Sequence, residues 1–433
     1  MFNELNEDTI KNISKIKGEP EWMTEFRLKS LEKFKELDMP KFGPKLDIDF
    51  SSINYYKKSD ESHDNWKSVN CSIRDRFKNL GVIDAEEKYL GGVTNQYESE
   101  VIYHKLEDGL NEKGVIFLSS DDALKYYPEL FYKYFNNLVK YDENKFTALN
   151  GALWSGGSFI YIPPYTKLDR PLQSYFRIDS MALGQFERTI IIVDEGAELS
   201  YIEGCTAMSY SVNSLHAGVV EIYVGKNAHV KYSTIQNWSK DVYNLVTKRA
   251  IVEDNGLMEW VDGNVGSGVT MKYPSCILKG NGACGNSISI AYAKDGQVLD
   301  AGAKMIHLGK NTKSNIISKS IAESGGIANY RGLVKITKNA LNSEATVKCD
   351  TILLDEISKS DTYPTNIVSN TSSTLEHEAS VSKISEDKLF YLMSKGLNEN
   401  AAKELYISGF ISDFKSELPM EYAVELNRLL KEI

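Results

Sequence analysis

A weak repeat in the middle of this chain leaves few folds open to it. Three segments share one pattern: VDEGAELSY from Val193, VGKNAHVKY from Val224 and VEDNGLMEW from Val252. Each has an apolar residue, a polar or glycine turn, and a run ending on an aromatic. The aromatics are Tyr201, Tyr232 and Trp260. Looser echoes begin at Leu278, Leu308 and Ile336. The step between echoes stays within roughly 26–31 residues, and a near-constant period of this length marks a solenoid or array. The units here are short β-branched runs between Gly, Asn and Asp turns, without helical spacing. The pattern predicts a parallel β-helix over residues 151–384. It should be right-handed, as parallel crossovers nearly always are. Residues one period apart should then stack, about 4.8 Å from coil to coil.

The flanks differ. Residues 1–150 read as mixed and mostly helical. Trp22, Met23, Phe26, Leu28, Leu31, Phe34 and Leu37 recur among charges over Glu19–Phe42, with Pro40 and Gly43 as stops. Asp121–Tyr141 reads as a second helix, capped by Asp121 or Asp122. Residues 385–433 read as three helices, SEDKLFYLMSKG, NENAAKELYISGF and ELPMEYAVELNRLLKEI. Ser385 and Asn398 suit N-caps, and Gly396 and Gly409 suit the ends. The apolar stripe Leu389, Phe390, Leu392 and Met393 suits either a cap on the open coil or a docking face. The fold class is therefore mainly β, a right-handed parallel β-helix core between helical N-terminal and C-terminal regions.

Composition narrows the function. A net charge of −10 over 433 residues disfavours nonspecific nucleic-acid binding. No apolar run approaches the roughly 18 residues of a membrane helix. The polar N-terminal stretch has no apolar signal core, so a cytoplasmic location is expected. There is no GxxxxGK[ST] loop, so ATP use would fall to a partner. The glycine spacing in GKNTKS at Gly309–Ser314 is wrong for one. Cys71, Cys205, Cys276, Cys284 and Cys349 are odd in number, far apart and free of any CxxC pair, which argues against a disulfide framework or a zinc ribbon.

Stacking turns spacing into chemistry. Arg177 lies about one period before Cys205 and Gln236 about one period after it, so the three could form one column. A guanidinium beside a thiol favours the nucleophilic thiolate; the alternative is a buried cysteine with Arg177 paired elsewhere. His377 follows Cys349 by the same spacing that separates Arg177 from Cys205, which places it on the adjacent coil. Glu376 and Glu378 flank it, so in a strand the two carboxylates share one face and the imidazole takes the other. Cys, His and Glu suit iron or zinc. One chain has too few thiolates here for a four-cysteine cluster; a labile cluster completed by a second subunit fits that shortage. Cys276 and Cys284 read as spectators.

Longer motifs add a resemblance. GEPEWMTEFRLKSLEKF, ALWSGGSFIYIPPYTKLDRPLQSYFRI, GQFERTIIIVDEGAELSYIEGCTA, TIQNWSKDVYNLVTKRA, VKCD and HEASVSKISEDKLFYLMSKG occur in that order from about residue 18. The chain resembles the SufB/SufD family of the SUF iron–sulfur cluster assembly system, and its SufB branch in particular. The resemblance implies a scaffold, not an enzyme. Cys205 would accept persulfide sulfur, and Arg177, Gln236 and Trp238 would line the sulfur route. Cys349 and Glu378, with His377 and Glu376 beside them, would hold a nascent iron–sulfur cluster, of [4Fe–4S] type, at a subunit interface. The implied partners are the SufC ATPase on the C-terminal helices, SufD or a second copy of the chain, and a cysteine desulfurase or sulfur-transfer protein; neither nucleic acid nor membrane is among them. Flavin binding has no support in the sequence. The N-terminal CxxC-type motif of some relatives is absent, and Asp179 stands where many have asparagine. Two other readings compete: a SufD-like structural paralogue, and a carbohydrate-active β-helix enzyme, which would need an exposed groove with paired acids.

Overall fold

Each repeat places one strand in each of two long sheets, and the coil between the sheets holds the core. The computed structural model describes residues 2–418 except 60–61, 80–82, 84–85, 87–88 and 209–212. Among these residues one sheet has ten strands. It starts with the hairpin Glu100–Leu106 and Gly92–Tyr97 and continues through Leu172–Ile178, Glu198–Ala207, His229–Asn237, Leu257–Val265, Cys284–Ala293, Lys313–Ala322, Glu344–Leu353 and Thr374–Lys383. The facing sheet runs from Ile116–Ser119 through Ser158–Ile162, Arg188–Val193, Val219–Val224 and Val242–Val252 towards Ile327–Ile336. Pairing is parallel throughout the repeats, in a solenoid of about eight turns, as the period predicts.

One corner of the coil explains the turn residues of the repeat. Gly196, Asn227, Asn255, Gly282, Asn311 and Asn342 follow one another coil by coil, and all have positive φ, between 52° and 69°. Left-handed backbone is what glycine and asparagine tolerate best. Just inside that corner, Tyr201 pairs with Tyr232 and Tyr232 with Trp260. Their ring centroids are 5.0 and 5.2 Å apart and all three rings are buried. Such contacts add about 0.5–1.5 kcal/mol each beyond the area buried.

The N-terminal region is less purely helical than its composition suggests, since Gly92–Tyr97, Glu100–Leu106 and Ile116–Ser119 extend the two sheets. The helix expected over Glu19–Phe42 runs from Glu21 to Glu36, and Leu37 is already extended. The helix expected over Asp121–Tyr141 is two helices, Ser120–Tyr126 and Pro128–Tyr134. Pro128 cannot donate to a preceding turn and drives Tyr127 out of helical conformation. The cap is Ser119, whose hydroxyl accepts from the Asp122 N–H at 3.0 Å. A buried ion pair, Arg188 to Glu221 at 2.6 Å, pins this region to the coil, with Glu221 also accepting from the N–H groups of Leu138 and Val139.

At the other end, Ser385 and Asn398 cap helices Glu386–Ser394 and Glu399–Phe410 as expected. Gly396 follows the first, but the second runs through Gly409. A short helix, Ser412–Glu417, comes next; the third expected helix falls largely on residues 419–433, outside the described ones. Ile407, Ile411 and Phe414 cover the outer face of the ten-stranded sheet against Ile202, Ile235 and Val261. The first helix buries none of its residues, and Phe390 is 74% exposed. The last coil, Thr362–Val368 and Thr374–Lys383, is also largely exposed. No described helix is long and apolar enough to cross a membrane.

Candidate functional site

Along several strands of the ten-stranded sheet the inward positions change character. In Glu198–Ala207 they read Leu199, Tyr201, Glu203 and Cys205, apolar near the corner and then polar. Register carries this polar stripe down the coil. Glu203 pairs with Thr234, Thr234 with Asp262, Asp262 with Ser289, Ser289 with Ser318 and Ser318 with Cys349. All six are buried. Five coil steps of about 4.8 Å make a ladder about 24 Å long. A neighbouring column runs Cys205, Gln236, Asn264, Ala291, Ser320 and Thr351. The two thiols therefore stand at opposite ends of one polar interior.

At the Cys205 end the ladder is ionic. Glu203 Oε1 accepts from Lys248 Nζ at 2.9 Å, and the Tyr232 hydroxyl donates to its other oxygen. Lys272 Nζ lies 3.2 Å from Asp262 Oδ1 and donates to Gln236 Oε1 at 3.2 Å. His216 sits between Glu187 Oε1 at 2.7 Å and Asn244 Oδ1 at 2.8 Å. The Asn244 amide N–H group donates to Gln236 at 2.7 Å, so both imidazole nitrogens face acceptors. Burial pulls the imidazole down, but Glu187 and Asn244 more than offset it and leave the ring above its ordinary value. Three buried acidic side chains, Glu203, Asp262 and Glu187, thus face Lys248, Lys272 and His216. Burial pushes the Glu203 carboxyl up, but Lys248, Tyr232 and Lys272 together hold it below its ordinary value. Burial pulls Lys248 down, and Glu203 and Asp262 more than restore it. Lys272 ends below the ordinary lysine value because burial and Lys248 outweigh Asp262.

Cys205 lies within this network. Its Sγ is 3.9 Å from Glu203 Oε1 and it packs with Phe176 and Trp238. Burial, then the Glu203 and Glu187 charges, push the thiol well above its ordinary value, against Lys248 and Lys272. Arg177 is not in the column. Phe176 pairs with Cys205 and Arg177 with Thr206, because this coil is longer by one than the spacing from Arg177 to Cys205. A slip of one position sends a side chain to the opposite face. The Arg177 Nε instead lies 2.8 Å from Asp179 Oδ1, and Arg76 closes on the other Asp179 oxygen. Gln236 does pair with Cys205. Trp238 is buried beyond the strand end, its ring 4.7 Å from that of His216. Glu187 Oε2, Thr234 Oγ1, Gln236 Nε2 and Trp238 Nε1 are buried without hydrogen-bond partners among the described residues.

At the far end the step from Cys349 leads to Ala379, while His377 pairs with Val347. That slip is of two positions, so the face is kept, and the imidazole Nε2 lies 3.8 Å from Cys349 Sγ. Glu376 and Glu378 pair with Thr346 and Lys348 and face the other way. Cys349 and Glu378 therefore do not converge within one chain. Burial pushes the Cys349 thiol up to about 12, although the Tyr330 hydroxyl beside it works in the other direction. Among the described residues no three His, Cys, Asp or Glu side chains come together as metal ligands. Cys349 and His377 supply two donors on one face, which fits part of a cluster site. Cys276 is core, accepting from the Trp260 indole at 3.2 Å, and Cys71 is exposed.

Two family models cover the chain. One, described as SUF system FeS cluster assembly, SufBD core domain, matches residues 176–410; the other, SufBD protein N-terminal region, matches residues 2–174. Proteins of Staphylococcus epidermidis, Staphylococcus saprophyticus and Staphylococcus aureus named as iron–sulfur cluster assembly SufBD family proteins are each 56% identical over 429 residues, 99% of this chain and 92% of their own length. The chain belongs to the SufBD family. It is an iron–sulfur cluster assembly protein, and both ends of the polar ladder, Cys205 and Cys349, lie within the SufBD core match.

Sequence reasoning missed Glu203, Lys248, Lys272, Asp262, His216 and Glu187 in this SufBD protein. A signal for Lys248 is present. In Val242–Val252 it shares strand parity with Ala250 and Val252, both core residues, so a lysine there has to point inward.

Proposed function

We propose that this SufBD protein is a SufB-type scaffold subunit that takes sulfur at Cys205 and builds a nascent iron–sulfur cluster at Cys349. The observation that carries this is the ladder itself. Buried ions are costly unless they are paired and hydrogen-bonded, and apolar residues would often hold a coil together as well. A rod needed only for stiffness has no use for the buried pairs Lys248–Glu203 and Lys272–Asp262 next to a thiol.

In this reading a cysteine desulfurase or sulfur-transfer protein delivers sulfane sulfur to Cys205. The thiol must lose its proton to attack, and Glu203 is the carboxylate within reach. Lys248 and Lys272 offset the thiolate charge. Gln236 and Trp238 border the route with open polar atoms; Arg177 acts from outside the column, through Asp179. A two-electron donor from outside the chain reduces the outer sulfur of the Cys205 persulfide to sulfide and returns the Cys205 thiolate. The sulfide then follows the ladder to Cys349, where iron is held by Cys349 and His377. The remaining ligands, for a [4Fe–4S] cluster, come from a second subunit, SufD or another copy of the chain. That subunit docks on the exposed last coil, where Glu376 and Glu378 stand. The SufC ATPase docks on the C-terminal helices, at a groove of about 650 Å³ walled by Tyr391, Leu392, Leu405 and Phe410. The chain has no catalytic turnover of its own and works in the cytoplasm.

The test is co-expression with SufC and a desulfurase, followed by the cluster absorbance of the purified complex. Cys349→Ala is expected to lose it, and Cys205→Ala to lose it unless sulfide is supplied directly. Undiminished absorbance in Cys349→Ala would overturn the assignment of the cluster end.

A further inference from the structure

A cleft on the outside of the coil lies apart from the ladder's thiols. It opens between the loop after the Glu21–Glu36 helix and the outer face of the sheet containing Val242–Val252. Its volume is about 640 Å³, and its walls include Phe42, Glu143, Arg249, Tyr273, Ser275 and Lys304. Ligand sites for small molecules are commonly of this size.

We propose that this cleft binds a small phosphate-bearing molecule. Its back wall is a column set by register: Arg249 pairs with Ser275 and Ser275 with Lys304. Their strand neighbours Ala250, Cys276 and Met305 lie in the core, so the three side chains point out. Two long cationic arms thus flank one short hydroxyl, two coil steps or about 9–10 Å apart at the backbone.

The cations there differ in their partners. Glu143 grips the Arg249 guanidinium with both oxygens, at 2.7 and 2.8 Å. Asp300 does the same for Arg331, at 3.0 Å twice. Lys304 forms no ion pair with a carboxylate among the described residues; the ammonium lies 5.2 Å from the centre of the Tyr273 ring. Burial, with the Arg249 and Arg331 charges, outweighs the attraction of Glu143 and holds it below the ordinary lysine value. The acids at the rim, Glu36 and Asp38, are exposed and paired with Lys33 and Lys41. Glu143 is committed to Arg249, so the Lys304 ammonium is left with no carboxylate in direct contact among the described residues.

A phosphate group answers all three wall residues at once. It can accept from the Lys304 ammonium, the Ser275 hydroxyl and an Arg249 N–H that Glu143 does not use, with a separate oxygen for each. A carboxylate, with two oxygens in one plane, reaches fewer of them.

The test is calorimetric titration and thermal melting of the full chain with inorganic pyrophosphate and, separately, with adenosine diphosphate. Saturable binding that raises the melting temperature is expected. Lys304→Met should weaken it about tenfold or more, the loss of one charge-assisted contact. Without ligand the same variant should melt no lower than the parent, since it removes a charge with no carboxylate in direct contact. Ser275→Ala, a milder change, should weaken binding several-fold and guards against a folding failure of the first variant. Binding of both probes points to an organic phosphate; binding of pyrophosphate alone points to the free anion. No saturable binding of either probe at millimolar concentration, or unchanged affinity in both variants, overturns the proposal. Because neither Cys205 nor Cys349 is involved, cluster assembly can fail its own test without affecting this one.

Discussion

Replacing Lys248 by Met isolates the ionic end of the ladder. Lys248 and Glu203 are both almost fully buried and meet at 2.9 Å. Removing one partner of such a pair leaves the other charge uncompensated, which costs about 3–5 kcal/mol. At roughly 2 °C per kcal/mol for a chain of this size, the melting temperature should fall by about 6–10 °C near neutral pH. The sign of the pH dependence follows from Glu203. In the parent its carboxyl is held below the ordinary value, so its contribution is present above the unfolded carboxylate pKa and fades as pH falls through the folded one. In the variant the main offset to burial is gone and the carboxyl titrates higher. The deficit should be full at about pH 8 and shrink towards about pH 5 as Glu203 takes up a proton. Melting curves followed by circular dichroism across that range measure it, together with the double variant Lys248→Met, Glu203→Gln. The second change should recover part of the loss, with a coupling of about 1–3 kcal/mol. A loss below about 1 kcal/mol at pH 8, or additive losses in the double variant, would refute the claim that this is a desolvated ion pair.

Three further outcomes are expected. Trp260→Ala should cost about 3–5 kcal/mol, because it removes a fully buried ring from the aromatic stack; chemical denaturation measures it, and a loss under about 1 kcal/mol would mean that the stack is not packed as described. In the native protein Cys71 should be alkylated well before Cys205, Cys276 and Cys349, since it alone of these is exposed and the others are buried thiols; timed mass spectrometry of peptides reads the order, and early labelling of Cys205 would contradict its burial. Ile367→Lys with Val381→Lys should leave the stability of the isolated chain within about 1 kcal/mol of the parent, because both are exposed surface sites, while lowering the mass of the assembled complex by light scattering; an unchanged mass would place the subunit contact elsewhere.

The corner and the strands are legible in the sequence because they rest on local preferences. Glycine and asparagine once per coil at left-handed positions, and β-branched runs between them, encode a coil without knowledge of any distant residue. Ser385 and Asn398 are legible as caps for the same reason, since a capping hydroxyl or amide acts within the first turn. The break at Pro128 is equally local, but a longer apolar pattern runs across it and hides it. The site is less legible. The period brings Gln236 to Cys205 and His377 close to Cys349, but it cannot reveal Lys248, which reaches Glu203 across the coil from the facing sheet.

Adjacency belongs to the sequence. A steady period tells which segments lie on neighbouring coils, because each coil must close on the one before it. Parity belongs to the folded chain. The corners add or drop a residue from coil to coil, so one and the same spacing lands one position out at Arg177 and two out at His377. Side chains alternate across a strand with a period of two. The odd slip turns Arg177 away from Cys205, and the even slip leaves His377 facing Cys349. Equal spacings along the chain therefore end in separation at one thiol and contact at the other.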